Sequence, residues 1–214
     1  MDSIGQHINQ PQFQNVLRRF LWEQLNPDSP RTPNEIPLDE YPRFGGHINV
    51  YHSAVARFYA PSDLCGMGGM YRERIRCNPN WRGEYPRYDT VFVETDAECP
   101  SMHGMVIGRV LLFFSFSFRE QNYPCALIHW LVPVGDEPDD ETGMWVVWPE
   151  FEGNRCSLAV IHLDCIACGA HLLPIFGSLF LPEDFHFSDS LHAFRGYFVS
   201  RHADHHMYEF LGKS

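Results

Sequence analysis

Two histidines and two cysteines stand three residues apart in the segment HLDCIACGAH, as His162, Cys165, Cys168 and His171. Thiolates and imidazoles are the ligands that Zn²⁺ prefers, and a Cys-x-x-Cys pair is a usual half of a structural zinc site. We expect no cofactor, and a structural zinc site at these four residues is the one zinc site that the sequence offers as a candidate. The alternative is that the thiols are buried and behave as small apolar side chains, because no second ligand pair follows at a zinc-finger spacing.

A basic segment lies within an otherwise acidic chain. Residues 57–87 hold six arginines and only three acidic residues, whereas the formal net charge of the 214 residues is −11. The planar guanidinium matches phosphate oxygens, so this segment is a candidate for contact with nucleic acid. Its arginines are Arg57, Arg72, Arg74, Arg76, Arg82 and Arg87. A coding bias towards arginine is the alternative, because Lys213 is the one lysine of the chain.

Aromatic side chains suggest a second kind of site. Trp81, Trp130, Trp145 and Trp148 could line a cage that holds a methyl-lysine cation through cation–π contacts. The alternative is that these rings fill the core and its rim. The sequence leaves both interpretations open, because it does not show whether the rings converge.

The patterns expected of an enzyme are weak. Residues 136–143 contain five carboxylates and would suit a divalent cation, although a solvated acidic turn is the alternative. Cys125 and His129 share one face of a predicted strand, but they lie roughly 13 Å apart along it, too far for a catalytic dyad. No G-x-S-x-G motif is present. We therefore expect no catalytic residue. A metal-assisted hydrolase that uses the acidic loop or the His/Cys set is the alternative.

The elements that would position these residues are mainly strands. Residues 88–164 contain five short runs rich in Val, Ile, Phe, Tyr and Trp, separated by turn residues. This pattern predicts a small antiparallel sheet that is partly closed into a barrel. We expect a β-rich α+β fold with an SH3-like barrel over residues 47–180. Residues 62–87 are predicted to be an Arg/Gly-rich loop within it, with a short helix near residues 70–76.

Helices are predicted to flank this barrel. Residues 1–25 hold an amphipathic helix from Pro11 to Leu25, and the five prolines of residues 26–46 predict an extended linker. A helical segment is predicted over residues 181–214. Within it, Ser188 would cap a helix that turns Phe194 and Phe198 inward.

Composition favours an intracellular protein. The seven cysteines are irregularly spaced and odd in number, and no signal peptide is recognisable, which favours a reducing compartment. The longest apolar run is only a few residues long, so no membrane span is expected.

Whole phrases of the chain resemble one family. VYHSAVARFYAPSD, GMYRERIR, NWRGEYPRYDTVFVETD, VIHLDCIACGAHLLPIFG and LPEDFHFSDSLHAFRGYFV are similar to the C-terminal region of fungal Plavaka-type transposases, which are related to the Kyakuja–Dileera–Zisupton transposons. The resemblance covers residues from about His7 to Leu211. The strand block is also loosely similar to bromo-adjacent-homology modules, which bind chromatin.

The resemblance implies a function without catalysis. In that family the nuclease core precedes the region that this chain resembles, so we expect a transposon-derived fragment that lacks it. The expected role is a nuclear accessory domain that binds DNA, chromatin or an upstream transposase region. A protein-interaction module or an inert transposon relic is the alternative.

Overall fold

The computed structural model describes residues 2–32, 35–60, 68–96, 98–99, 101–178, 180–186 and 189–212. Its strands are β1 Ile48–Tyr51, β2 Ser53–Tyr59, β3 Met70–Trp81, β4 Tyr85–Tyr88, β5 Thr90–Glu94, β6 Met105–Phe118, β7 Gln121–Pro133, β8 Val146–Pro149, β9 Phe151–Glu152, β10 Arg155–Cys156, β11 Leu158–His162, β12 Ile166–Ala170, β13 Leu172–Pro174 and β14 Tyr197–Val199. Its α-helices are α1 Asp2–His7, α2 Phe13–Leu25, α3 Ser190–Ala193 and α4 His205–Leu211. None of the helices in these ranges is long and apolar enough to cross a membrane.

The main sheet is a nearly closed antiparallel barrel. Strands β5, β6, β7, β8 and β14 pair in that order. The chain of residues 166–174 then joins the two ends of this path, because β12 pairs with β5 and β13 pairs with β14. One bent segment therefore serves as the last strand on both sides. The predicted β-rich fold, with a barrel and terminal helices, is confirmed.

The β6–β7 hairpin extends beyond the barrel and keeps one face continuous through a β-bulge. Within the barrel Arg109 lies opposite His129, and beyond it Leu112 lies opposite Leu127, with Leu111 as the extra residue. Successive residues of a strand point to opposite faces, so an inserted residue is needed for positions 109 and 112 to share a face. Because of the bulge, the face of the hairpin that lines the barrel interior continues as the face on which α2 packs.

Helix α2 covers one face of this extension. Its apolar stripe includes Phe13, Leu17 and Phe20, all of them buried. Phe13 meets Phe114 of β6 edge-to-face, with ring centroids 5.4 Å apart. Burial of such rings is the main stabilisation available to this layer.

A second sheet, β2–β3–β4, covers the opposite face. Ile75 and Cys77 of β3 are buried there with Phe113 of β6. The sheet is also tied to the barrel by Glu73, whose carboxylate accepts a hydrogen bond of 2.8 Å from the Gly169 amide. A Cβ at Gly169 would lie only 2.5 Å from that carboxylate, so a larger residue there would displace the Glu73 side chain from this hydrogen bond.

Helix α4 closes one end of the barrel. Met207 is buried there with Met102 and with Tyr197 of β14. The helix is fixed by its N-cap, Asp204, which accepts a 2.7 Å hydrogen bond from the Met207 amide.

The predicted loop at residues 62–87 and its short helix are wrong, because residues 70–81 and 85–88 form β3 and β4. Ile75 and Cys77 point inward while Arg72, Arg74 and Arg76 alternate with them on the outer face. This period of two was visible in the sequence, but the glycine and arginine content obscured it. Residues 61–67 lie outside the described ranges.

The flanking segments also differ from the prediction. The Pro-rich segment lies against α2, because Arg18 donates hydrogen bonds to the carbonyls of Leu38, Tyr41 and Pro42. Helix α2 begins at Phe13 rather than Pro11. In the C-terminal segment Phe198 lies in strand β14 and not in a helix. Ser188, the predicted helix start, lies outside the described residues.

Three buried thiols make the stability of the fold sensitive to alkaline pH. Burial raises the pKa of Cys77, Cys125 and Cys168 to about 12, from an ordinary value of 9.0. A raised pKa in the folded state means that folding favours the protonated thiol. This stabilisation is complete below about pH 9 and is lost progressively between about pH 9 and pH 12. Urea unfolding at a series of pH values should therefore show a decreasing free energy of unfolding in that interval.

The matched variants separate these thiols from other titrating groups. A C125A/C168A double variant should show a shallower decrease with pH than the unsubstituted protein. A C99A variant should depart from the unsubstituted protein much less than the double variant, because Cys99 is exposed and its pKa is raised through its hydrogen bond with Asp96 rather than by burial in the core. Parallel pH curves for the double variant and the unsubstituted protein would contradict the prediction.

Candidate functional site

The structure brings the six predicted arginines onto one surface of the β2–β3–β4 sheet. Arg72, Arg74 and Arg76 occupy every second position of β3 and lie on its outer side. Arg57 lies directly opposite Arg72 across the ladder, and Arg87 lies opposite Asn78 on β4. Directly opposite residues share a face, so these cations form one patch. We call this surface, with Arg82 of the β3–β4 turn, the arginine face.

Trp81 holds part of the arginine face together. The guanidinium carbons of Arg76, Arg87 and Arg82 lie 5.1, 5.3 and 5.8 Å from the centroid of its ring. A tryptophan ring attracts cations through its negative face. Three cations are thereby held around one ring despite their mutual repulsion. Side chains held in place in this way would lose less conformational entropy if an anion bound to them.

Few carboxylates neutralise this surface. Arg87 forms an ion pair with Asp89 at 2.8 Å, and the other carboxylate oxygen of Asp89 accepts a hydrogen bond from the Arg76 amide. Within the part of the chain that the structure describes, the remaining five arginines form no ion pair. Glu73 lies on the same strand but points to the opposite face, towards Gly169. The arginine face can therefore attract an anion from solution.

Exposed uncharged side chains share the outer side of β2 with Arg57. Val55 and Tyr59 lie two residues before and two residues after Arg57, on the same side of the strand, and Tyr59 is 64% exposed. An exposed ring beside a row of cations is typical of surfaces that bind single-stranded nucleic acid, because bases stack on aromatic rings. The arginine face thus offers charge for phosphates and a ring for bases.

The structure disperses the four tryptophans of the predicted aromatic cage. Trp145 is buried in the barrel core, and Trp130 packs partly buried against the layer between the two sheets. Trp148 lies 40% exposed at the barrel rim beneath Arg195. Trp81 serves the arginine face. Their rings occupy separate environments and share no common pocket.

The structure places the four predicted zinc ligands in separate environments. His162 forms a 2.9 Å hydrogen bond with Gln24 and stacks on Tyr123. Cys168 is buried in the barrel core. Cys165 packs with the other core layer, and His171 is exposed at the bend between β12 and β13. No group of three or more metal-ligating side chains occurs among the described residues. Regular spacing in sequence did not bring these four side chains together.

The acidic loop of residues 136–143 is organised by its own hydrogen bonds. Asp139 accepts hydrogen bonds from the amide and the hydroxyl of Thr142, at 2.9 and 2.8 Å. These bonds lower the pKa of Asp139 below its ordinary value, the side-chain bond having the larger effect. The loop is thus a hydrogen-bonded turn, and the structure brings no cation-binding cluster together there.

A polar row inside the barrel was missed by sequence reasoning. Thr90, Arg109 and His129 are consecutive partners across β5, β6 and β7, and all three are buried. The signal in the sequence was the interruption of two apolar runs, GRVLLFF and ALIHWLV, by one polar residue each. Only the strand register shows that these interruptions meet.

Comparisons with known proteins identify no relative. No protein-family model matches the chain, and no curated protein or solved structure matches it significantly. The geometry of the arginine face is therefore the main basis on which a function can be argued.

Proposed function

We propose that this chain is a non-catalytic nucleic-acid-binding module and that the arginine face is its contact surface. The observation that carries this proposal is the row formed by Arg72, Arg74 and Arg76 on β3, flanked across the ladder by Arg57 and Arg87. Strand geometry spaces such same-face residues about 7 Å apart. A linear row of cations complements a linear polyanion better than it complements a single small anion.

The distribution of charge supports a localised contact. Residues 88–214 contain six basic and eighteen acidic residues. Nucleic acid would be repelled by most of this surface and attracted by the arginine face. We expect weak binding with a defined orientation and a strong dependence on salt.

The resemblance to the tail of Plavaka-type transposases agrees with this proposal. A tail domain that binds DNA would help to hold a transposase on its substrate without contributing to cleavage. Such a role would place the protein in the nucleus. Chromatin recognition through an aromatic cage is not favoured, because the tryptophans are dispersed.

The test is a salt titration of binding to fluorescent single-stranded and duplex oligonucleotides. The unsubstituted protein should bind at low salt, with an affinity that falls linearly on a log–log plot. The R72A/R74A/R76A variant should bind more weakly, and its slope should be shallower by about 2–3, because each lost phosphate contact removes about 0.7–0.9 from the slope. The two oligonucleotides show whether stacking of bases contributes.

A matched control removes the same charge elsewhere. Arg31, Arg119 and Arg155 are exposed and lie outside the arginine face. An R31A/R119A/R155A variant should keep the slope of the unsubstituted protein. Equal losses in the two triple variants would show that only net charge matters. That result, or no binding at low salt, would refute the proposal.

A further inference from the structure

A cavity of about 370 Å³ lies against the polar row of β5, β6 and β7. Thr90 and His129 belong to its wall, with Leu111 of β6 and Leu131 of β7 as apolar neighbours. We call this cavity the barrel pocket. Its volume lies within the range of sites that bind small molecules, and β-barrels often hold such sites.

Arg109 is also part of the wall, but its charge is engaged within the protein. The residue is buried, and its guanidinium carbon lies 5.5 Å from the centroid of the Tyr88 ring. A cation that has its partners in the protein does not require the negative charge of a ligand. The choice of ligand then depends on the other polar atoms of the wall.

Thr90 presents a hydrogen-bond acceptor to the barrel pocket. The residue is buried, and its hydroxyl donates a 2.6 Å hydrogen bond to the Ala170 carbonyl. A hydroxyl has only one proton to donate, so the Thr90 oxygen can only accept a further hydrogen bond.

His129 presents a second acceptor. Its Nε2 lies 2.8 Å from the carbonyl oxygen of Glu150, and a carbonyl oxygen only accepts hydrogen bonds, so Nε2 carries the proton. Burial lowers the pKa of His129, so the ring is neutral at pH 7 and Nδ1 has no proton. Within the part of the chain that the structure describes, Nδ1 forms no hydrogen bond and is not one of the completely buried atoms that lack one. A ligand in the barrel pocket can therefore reach it.

Aromatic rings line the more exposed part of the pocket. Phe151 is 55% exposed, and its ring meets the His129 ring edge-on, with the centroids 5.4 Å apart. Trp148 and Phe194 line the same cavity. Such rings pack well against another aromatic ring, edge-to-face or in an offset stack. The pocket therefore favours a ligand that contains a ring.

We propose that the barrel pocket binds a small neutral aromatic molecule that carries an N–H or O–H donor, such as indole. The donor would bond to Nδ1 of His129, and the ring would lie against Leu111, Leu131 and the aromatic side chains. A carboxylate or a phosphate would bring only acceptors to two acceptors, and it would lose its hydration without gaining their hydrogen bonds.

The first experiment is calorimetric titration of the full chain with indole and with 1-methylindole. The two probes have the same ring system, and only indole has the N–H group. Indole should bind roughly tenfold more tightly, because 1-methylindole would leave Nδ1 of His129 without a hydrogen bond. Equal affinities, or no binding of indole at millimolar concentration, would overturn the proposal.

The second experiment uses variants. His129→Phe keeps an aromatic ring but removes the acceptor, so it should reduce the affinity for indole to that for 1-methylindole. His47→Phe makes the same substitution at an exposed histidine outside the pocket and should leave both affinities unchanged. A His129→Phe variant that folds and still prefers indole would also overturn the proposal.

A measurement on the unsubstituted protein decides the matter if His129→Phe does not fold. The ¹⁵N NMR signal of the unprotonated His129 nitrogen should shift more on saturation with indole than with 1-methylindole, because only indole donates a hydrogen bond to it. The ring nitrogens of His47 should not shift with either probe. Equal shifts of the His129 signal with the two probes would contradict the proposal. The outcome is independent of nucleic-acid binding, because none of the six residues of the arginine face lines the barrel pocket.

Discussion

Replacement of Phe114 by alanine is expected to lower the free energy of unfolding by about 3–5 kcal/mol. Phe114 is 2% exposed and lies between Phe13 of α2 and Phe116 of β6, at ring distances of 5.4 and 6.0 Å. The substitution removes a buried ring from the layer that joins α2 to the sheet. The neighbouring strand holds the site open, so the resulting cavity can collapse only in part. Chemical denaturation measures this loss directly.

Phe180 provides the matched control for Phe114. It is fully exposed, so Phe180→Ala should change the stability by less than about 0.5 kcal/mol. A double-variant cycle with Phe13→Ala should give a coupling of about 0.5–1.5 kcal/mol, the value typical of an edge-to-face pair. Equal effects of Phe114→Ala and Phe180→Ala would contradict the packing of α2 on this hairpin.

Replacement of Tyr197 by alanine is expected to open the barrel and to destabilise it by about 3–5 kcal/mol. Tyr197 is completely buried and belongs to β14, the strand that links β8 to the bent segment of residues 166–174. Its ring fills the barrel core, and its hydroxyl donates a 3.0 Å hydrogen bond to the Ser190 carbonyl. Loss of the ring removes the packing that holds the closing strand.

Hydrogen exchange distinguishes barrel opening from general loosening. Amides of β13 and β14 should exchange faster in Tyr197→Ala than those of the β6–β7 hairpin, because the closing strands open first. Tyr197→Phe keeps the ring and loses only the hydroxyl, so it should cost about 1 kcal/mol. Tyr59→Ala, which removes an exposed tyrosine, should have little effect on stability. Uniform acceleration of exchange over all strands would contradict a local role for β14.

The strand block could be predicted because its physical signal is local. Apolar and β-branched residues at residues 88–164 favour strands wherever they pair, and these runs became β5, β6, β7, β8 and β11. The arginines at residues 72, 74 and 76 had the same kind of signal, since a period of two places them on one face of any strand. The predicted loop was wrong for them because the glycine and arginine content of the segment masks this period of two.

The side chains of the predicted zinc site and cage are separated in the fold for a different reason. His162 precedes a 3-10 turn and Cys165 ends it, and each packs with a different layer of the core. Four tryptophans distributed over the chain are enough for a cage only if the sheets curve towards one another there. Neither the layer that each side chain joins nor the curvature of the sheets follows from residue type or from spacing in the sequence.

The sequence by itself determined the strand runs of residues 88–164, the period of two that places Arg72, Arg74 and Arg76 on one face of a strand, and where the arginines are concentrated. Those properties follow from alternation and composition over a few neighbouring residues. The tertiary structure alone decided the bulge at Leu111, the closure of the barrel through residues 166–174, and the meeting of Thr90, Arg109 and His129. Each of these depends on register between strands distant in sequence, and a period of two is satisfied equally well by many registers. Packing of the complete core selects one of them.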